Sequence, residues 1–304
     1  MATIRFFARY LYVPTLLVGL NGLALYLIAQ DYPYVWAFLL LLAGIGLSFL
    51  MERVLPYEQI WNKGHADTGK DVAHGIVYEI ANLITLFVFI VISSTVLPEW
   101  SIWPQSLPIV LQFFLAILIV DCTLTLIHYW SHRINFLWRL HAIHHGVFRL
   151  YGFNGFVRHP LHQALDIVVG TLPLVLIGMP IPVAVMLGFA IGLQLIVQHS
   201  NVDYALGPTQ KLLAIGPVHR LHHVNWAGEG DVNFGLFFTF WDRLLGTLWL
   251  PSERKPGAGD IGIQDCPHFP QRYARQLVVP FHADDPCVQA SLERPTLYKR
   301  DAHP

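Results

Sequence analysis

VLQFFLAILIVDCTLTLIHYWSHRINFLWRLHAIHH, residues 110–145, is the stretch on which the fold turns. The apolar run around its first half, Leu107 to Ile127, is interrupted only by Asp121. A helix of that length crosses the hydrocarbon core of a bilayer, which takes about 20 residues. Immediately beyond it come His128 and His132 in IHYWSH, then His141, His144 and His145 in HAIHH. Positions i, i+3 and i+4 share a helix face, so each cluster aims two or three imidazoles at one point. Thirteen residues separate His128 from His141, which puts them on different faces of a continuous helix. A break near Asn135 would let the second cluster turn back on the first.

Upstream, three further runs are long enough to span: Tyr10 to Gln30, Tyr32 to Met51, and Ile80 to Leu97. The first is too long for a signal-peptide core and lacks a small-residue cleavage site, so it reads as a retained span. Downstream, Ile167 to Val197 is too long for one span and too short for two full ones. Gly178, Pro180 and Pro182 interrupt its middle, which predicts two short helices that enter the membrane and return to the same side. The chain is 54% hydrophobic and 13% charged with mean hydropathy +0.48. A soluble domain carries about 25% charged residues, so a water-soluble globule is excluded. Net charge is −1, which leaves no electrostatic case for nucleic acid. Cys122, Cys266 and Cys287 show no CxxC spacing, so neither a disulfide framework nor a thiolate metal site is expected.

With the N-terminus inside, this topology places all 19 Lys and Arg in cytoplasmic segments. The outer loops, around Asp31–Pro33 and Pro98–Ser106, hold none, which is the positive-inside pattern. The expected fold is therefore an all-α integral membrane protein. It has four transmembrane helices, a short re-entrant helical hairpin, and a cytoplasmic helical cap holding a histidine-rich di-metal site. Residues 1–120 would form the N-terminal membrane helices, 121–250 the catalytic domain and 251–304 a cytoplasmic tail over it. Both termini and the site would face the cytoplasm, in a bacterial inner membrane or the endoplasmic reticulum.

A third cluster, His219, His222 and His223 in HRLHH, lies about 75 residues past the second. Eight histidines exceed the three or so protein ligands of a catalytic zinc; they suit two metals of higher coordination number. Imidazole serves Fe, Zn, Cu and Ni alike, so ligand type alone does not select iron. A lone histidine near a membrane surface is ordinarily a polar belt residue, and that reading covers His65, His74, His268, His282 and His303. It does not cover two HxxHH groups beside an HxxxH.

HxxxH, HxxHH and a distant HxxHH together resemble the fatty acid hydroxylase superfamily, in particular its sterol desaturase branch. The resemblance covers Asp121 to Leu250 and extends to LWRLHAIHH, Arg158-His159-Pro160, QHSN at 198–201, PVHRLHH, DVNFG and WDRLLGT. It implies membrane-bound, histidine-ligated di-iron oxygenases that hydroxylate, desaturate or cleave lipids with O2. It also implies one more ligand about 20 residues before the last cluster, a place that His199 occupies, and a His-Pro pair where His159 and His162 stand. Metal-bound histidines donate their second N–H to a fixed acceptor. Asp121, seven residues before His128 on nearly the same face, is a candidate partner, as are His159, His162, Asn201, Asp203, Asp231, Asn233 and Asp242. No flavin, haem or dinucleotide motif appears, so electrons would come from cytochrome b5 or a ferredoxin with its reductase. Trp130, Phe136, Trp138, Phe148, Phe153 and Phe156 would wall a lipid groove with the hairpin. Competing readings are an alkylglycerol-type ether-lipid monooxygenase, a carotenoid hydroxylase or ketolase, and a membrane zinc hydrolase. The last lacks HExxH.

Overall fold

The computed structural model describes residues 2–95, 101–205, 207–226, 230–251, 255–264, 266–282 and 284–289. His303, Leu97 and Pro98 lie outside them. Helix α1 covers Ala2–Ala29, α2 Val35–Val54, α3 Thr68–Thr95, α4 Ile109–Ser131, α5 Asn135–His145, α6 Pro160–Leu176 and α7 Ile181–His199. Short helices follow: α8 at Gly216–His219, α9 at Phe240–Leu245, α10 at Tyr273–Val278 and α11 at Pro286–Gln289. Among the described residues there is no strand, only isolated bridges such as Leu213 with Phe238.

Five helices, α1 to α4 and α7, are long and apolar enough to cross a membrane. Their outward faces carry bare Val18, Leu39, Leu83, Phe87 and Phe114, an apolar surface that water would not tolerate and lipid does. The chain is a membrane protein. Helix α7 is its axis: 67% of its apolar window is buried, against 17–39% in the other four.

The α6–α7 pair is the hairpin expected from Gly178, Pro180 and Pro182, but it reaches farther than two short helices returning early. At its tip the Trp103 amide donates to the Ile177 carbonyl at 2.9 Å, joining the turn to the loop that precedes α4. With 19 residues, α7 alone has spanning length. The turn needs Gly178 because its φ is +85°, where a side chain is strained. Both hairpin ends still lie on the histidine-bearing side. The N-terminal end of α1 is there as well, since Ala205 donates its amide to the Arg9 carbonyl at 2.8 Å and Arg9 pairs with Asp203 at 3.0 Å.

Helix α4 stops at Ser131 and α5 begins at Asn135, the break that the histidine spacing required. The turn back presents α5 across the end of α4. A segment at Gly152–Phe156 then wedges against α7, where a Cβ on Gly155 would stand 2.7 Å from the Leu195 carbonyl oxygen. Buried Glu52, from the end of α2, holds this cap down by accepting the Gly152 amide at 2.7 Å and the Asn201 amide at 3.2 Å. The C-terminal segment packs Phe269 and Val279 against Trp138 and Ile143 of α5. It also pairs Cys266 with Cys287, Cα atoms 5.3 Å apart. No disulfide was expected from the cysteine spacing; the fold, not a local motif, brings residues 21 apart together.

Candidate metal centre

Nine imidazoles from four chain segments converge beneath α4. His128, His132, His141, His145 and His222 form one group, and His144, His199, His219 and His223 a second. Within each group the nitrogens that could ligate lie within 4.8 Å of one another. The helical repeat makes this possible. His141 and His145, one turn apart on α5, turn to the first group, while His144 on the adjoining face turns to the second. The ring centroids of His145 and His223 are 4.7 Å apart, and those of His141 and His144 5.3 Å, so the two groups adjoin.

The ring nitrogens divide their work. Nε2 atoms face inward: His128 to His141 3.1 Å, His145 to His141 3.1 Å, His199 to His144 3.3 Å, His219 to His199 3.2 Å, and His223 to His219 3.1 Å. Nδ1–H groups face outward to fixed acceptors. His128 donates to the Phe234 carbonyl, His144 to Val157, His199 to Leu195 and His222 to Val232, all between 2.8 and 3.1 Å. His132 donates to the Asp231 carboxylate at 2.7 Å. Fixing the proton on Nδ1 leaves the inward Nε2 lone pair free. The lone pairs of His144 and His199, both fixed in this way, face one another at 3.3 Å and repel unless a cation lies between them. Nitrogens bound at right angles about 2.1 Å from one ion would stand roughly 3 Å apart, so the arrangement fits a metal.

Electrostatics agree. Burial first, and neighbouring imidazoles second, push His141, His144, His145, His219, His222 and His223 well below the ordinary histidine range. Neutral imidazole is the form that ligates.

The other candidates are placed differently. Asp231 touches a ring directly and is paired with Arg133. Asp121 does not: it accepts the amides of Leu236, Phe237 and Phe238 at 3.2, 2.7 and 3.1 Å. Sharing a face with His128 is thus not partnership; a loop arriving from residue 230 onward takes both groups' bonding capacity. Asp242 clamps the same loop through the Phe234 and Gly235 amides at 2.7 and 2.9 Å. Asn233, at φ +57°, holds Val218 and Trp249. Asn201 bonds Glu58 and Asn62, and Asp203 pairs with Arg9 at the surface; neither meets a histidine. His159 caps α6 through the Leu161 amide and donates to the Leu277 carbonyl, so it is a structural tie. His162 sits beside the nest, its ring 4.8 Å from His141, bonded to Ser131 at 2.9 Å and Asp166 at 3.2 Å.

His65, His268 and His282 are exposed, as belt residues are, but His74 is buried between the Arg158 carbonyl and Gln276. Sequence reading missed that tie, and Glu52 as well. A charged residue at the end of an apolar run was the available signal for Glu52; none marked the partners of His74.

A cavity of about 520 Å³ runs along the bundle interior, with walls from α2, α3, α4, α6 and α7. Its volume lies within the roughly 300–1,000 Å³ of ligand clefts. A small second cavity of about 30 Å³, walled by His128, His162, His219 and Phe234, adjoins it; Leu124, Arg158, Asp166 and Leu236 border both. The expected aromatic groove is not its wall. Trp130 and Phe136 are exposed, Trp138 packs against His132 and His145, and Phe153 and Phe156 pack on α3.

Comparison with known proteins bears on the same residues. The fatty acid hydroxylase family model matches residues 113–247, which contain all nine converging histidines. Ornithine lipid hydroxylase of Rhizobium tropici is 31% identical over 88% of this chain and 81% of its own length. Alkylglycerol monooxygenase of Danio rerio is 29% identical over 47% of this chain, which spans 31% of it. Sphinganine C4-monooxygenase 2 of Arabidopsis thaliana is 28% identical over 46%, and 54% of it is spanned. No solved structure matches. Likeness to a hydroxylase through nearly the whole chain, membrane helices included, extends beyond the histidine motifs, and so the chain belongs to the fatty acid hydroxylase family.

Proposed function

We propose that this chain is a membrane-bound lipid hydroxylase or desaturase whose nine clustered histidines hold two irons. The observation that carries the reading is the division of those histidines into two adjoining, buried groups with inward Nε2 atoms. Five inward nitrogens in one group and four in the other suit two ions better than one zinc, which takes about three or four protein ligands. Iron bound there would supply what no side chain can: O2-dependent oxidation of an unactivated C–H bond, giving an alcohol or an alkene. The protein's share is positioning. Backbone carbonyls and Asp231 fix ring orientation, the apolar cavity excludes water, and the vestibule beside His128 and His219 sets which part of the substrate reaches the metals.

The relatives act on ornithine lipid, alkylglycerol and sphinganine, which supports a membrane lipid as substrate. Electrons would come from a separate donor of the cytochrome b5 or ferredoxin type. The absence of Lys and Arg from the expected outer loops supports a cytoplasmic histidine end.

Comparative lipidomics of cells making the wild type or His144→Ala tests the reading, together with metal content and O2 consumption of the purified protein. The expected result is a lipid shifted by one oxygen or two hydrogens, lost in the variant, with about two irons per wild-type chain. Identical lipid profiles, or one zinc per chain without O2 uptake, would overturn it.

A further inference from the structure

The large cavity is not uniform along its length. At the end remote from the histidines its walls are Val35, Phe38, Met179 and Ala184. At the histidine end they are Glu79, Asn82, Arg158, Gln163 and Asp166. Along α7 the wall runs from Ala184 to Leu195, about 16 Å of helix. An amphiphile fills such a space with its aliphatic chain toward the apolar end and its polar end toward the metals. The opposite orientation would bury a polar group among Val35 and Phe38 and strand the polar side chains against methylenes, each a desolvation loss.

Arg158 stands where the two cavities meet. Its Nη1 pairs with Asp166, which also accepts from His162. Its Nε is buried and has no hydrogen-bond partner among the described residues. Its backbone carbonyl is pinned from behind by His74 Nδ1 at 2.9 Å. A guanidinium held by Asp166 and lining a lipid-sized cavity at its polar end can donate to an acceptor oxygen of the occupant.

We propose that Arg158 is a specificity-determining residue that holds a hydrogen-bond-accepting oxygen at the polar end of a single-chain aliphatic lipid, so that the carbon presented to the metals lies next to that polar end. The assignment rests on the lipid-oxidation reading for its chemistry, but the binding pose is testable without turnover.

The test uses the purified full-length protein and two photoreactive palmitic acid analogues, one with a diazirine near the carboxylate and one with it at the methyl end. Peptide mass spectrometry maps the crosslinks. The carboxylate-proximal probe should mark the segments containing Arg158 to Asp166 or Leu236, and the methyl-end probe those containing Val35 to Leu41 or Met179 to Phe189. Unlabelled palmitate should compete with both. Arg158→Gln should weaken capture of the fatty acid probes about tenfold or more, the scale of a lost charged hydrogen bond. The matching alkane probe should be unaffected, and Arg158→Lys should restore part of the loss. Metal content equal to wild type shows that the variants fold. Reversed labelling, labelling confined to the outer helix faces, or unchanged fatty acid capture by Arg158→Gln would each overturn the proposal. Failure of the oxidation reading would appear separately, as the absence of any O2-dependent product with the crosslinks intact.

Discussion

The two histidine groups have similar chemistry and different supports. In the first, His132, His222 and His128 donate to Asp231, Val232 and Phe234, three positions of one loop. That loop has no helical structure of its own and is held by two buried carboxylates, Asp121 on α4 and Asp242 on α9. In the second, His199 donates to Leu195 within α7, and His144 to Val157 at the end of the wedge against it. One group is therefore fastened to a clamped loop, the other to the central helix. Geometry in a loop-borne site is only as good as its clamps, whereas a site on a buried helix shares that helix's packing. The difference predicts that two metals held there would be lost separately.

The largest effects belong to the proposed ligands. His222→Ala and His219→Ala each remove an inward nitrogen from a different group. Product formation should fall at least about a hundredfold in both, beyond the usual cost of losing an outer partner. Metal analysis discriminates: each variant should retain about one iron per chain. Loss of both from either variant would mean that the groups form a single unit. Asp231→Ala comes next, with roughly 10–100-fold loss of activity or metal affinity. It should act on the first group alone, and Asp231→Asn should recover part of the loss because its amide oxygen still accepts from His132.

Removal of a clamp is milder and spreads through the loop. Asp242→Ala leaves the Phe234 and Gly235 amides and the Thr247 hydroxyl without their carboxylate. Each buried donor left unpaired costs about 1–3 kcal/mol, less whatever water supplies. Thermal unfolding of the purified protein should report the loss, and iron content should fall toward one per chain. Burial pushes the Asp242 carboxyl up from its ordinary range, so it accepts those bonds at a cost that only the loop's closure offsets.

How much of this was legible in the sequence follows the same division. The i, i+3, i+4 spacing gave the histidine faces and the break near Asn135, because a helical repeat is a local property, while the place of His199 came from the family resemblance. The outward partners were hidden because four of the five are backbone carbonyls, which any residue supplies. Asp121 was misread for a related reason: periodicity states which face a side chain is on, but not which distant loop arrives there. The hairpin's bend was marked by Gly178 and Pro180, yet its depth was not, since depth depends on the loop it meets at Trp103. Glu79 lies far in the chain from Arg158 and Asp166, and only the packed bundle sets all three on the wall of one cavity.

The smallest effect probes the helix-borne group. At Gly155 the nearest atoms to an added Cβ are the backbone of Leu195, its carbonyl oxygen 2.7 Å away, so no side-chain rotation relieves the contact. Gly155→Ala must therefore shift either the wedge or α7, at a cost of about 1–3 kcal/mol for overpacking. That same Leu195 carbonyl accepts from His199 Nδ1 at 2.9 Å. The displacement should thus reach the second group and leave the first, whose supports lie on the 231–234 loop. Iron binding by Gly155→Ala should weaken at one site only, the one also removed by His219→Ala. Combining the two substitutions should lower iron content no further than His219→Ala alone, whereas combining Gly155→Ala with His222→Ala should lower it below one per chain. Equal weakening in both backgrounds would show that the cap moves as one body and that the division into a loop-borne and a helix-borne group has no energetic meaning.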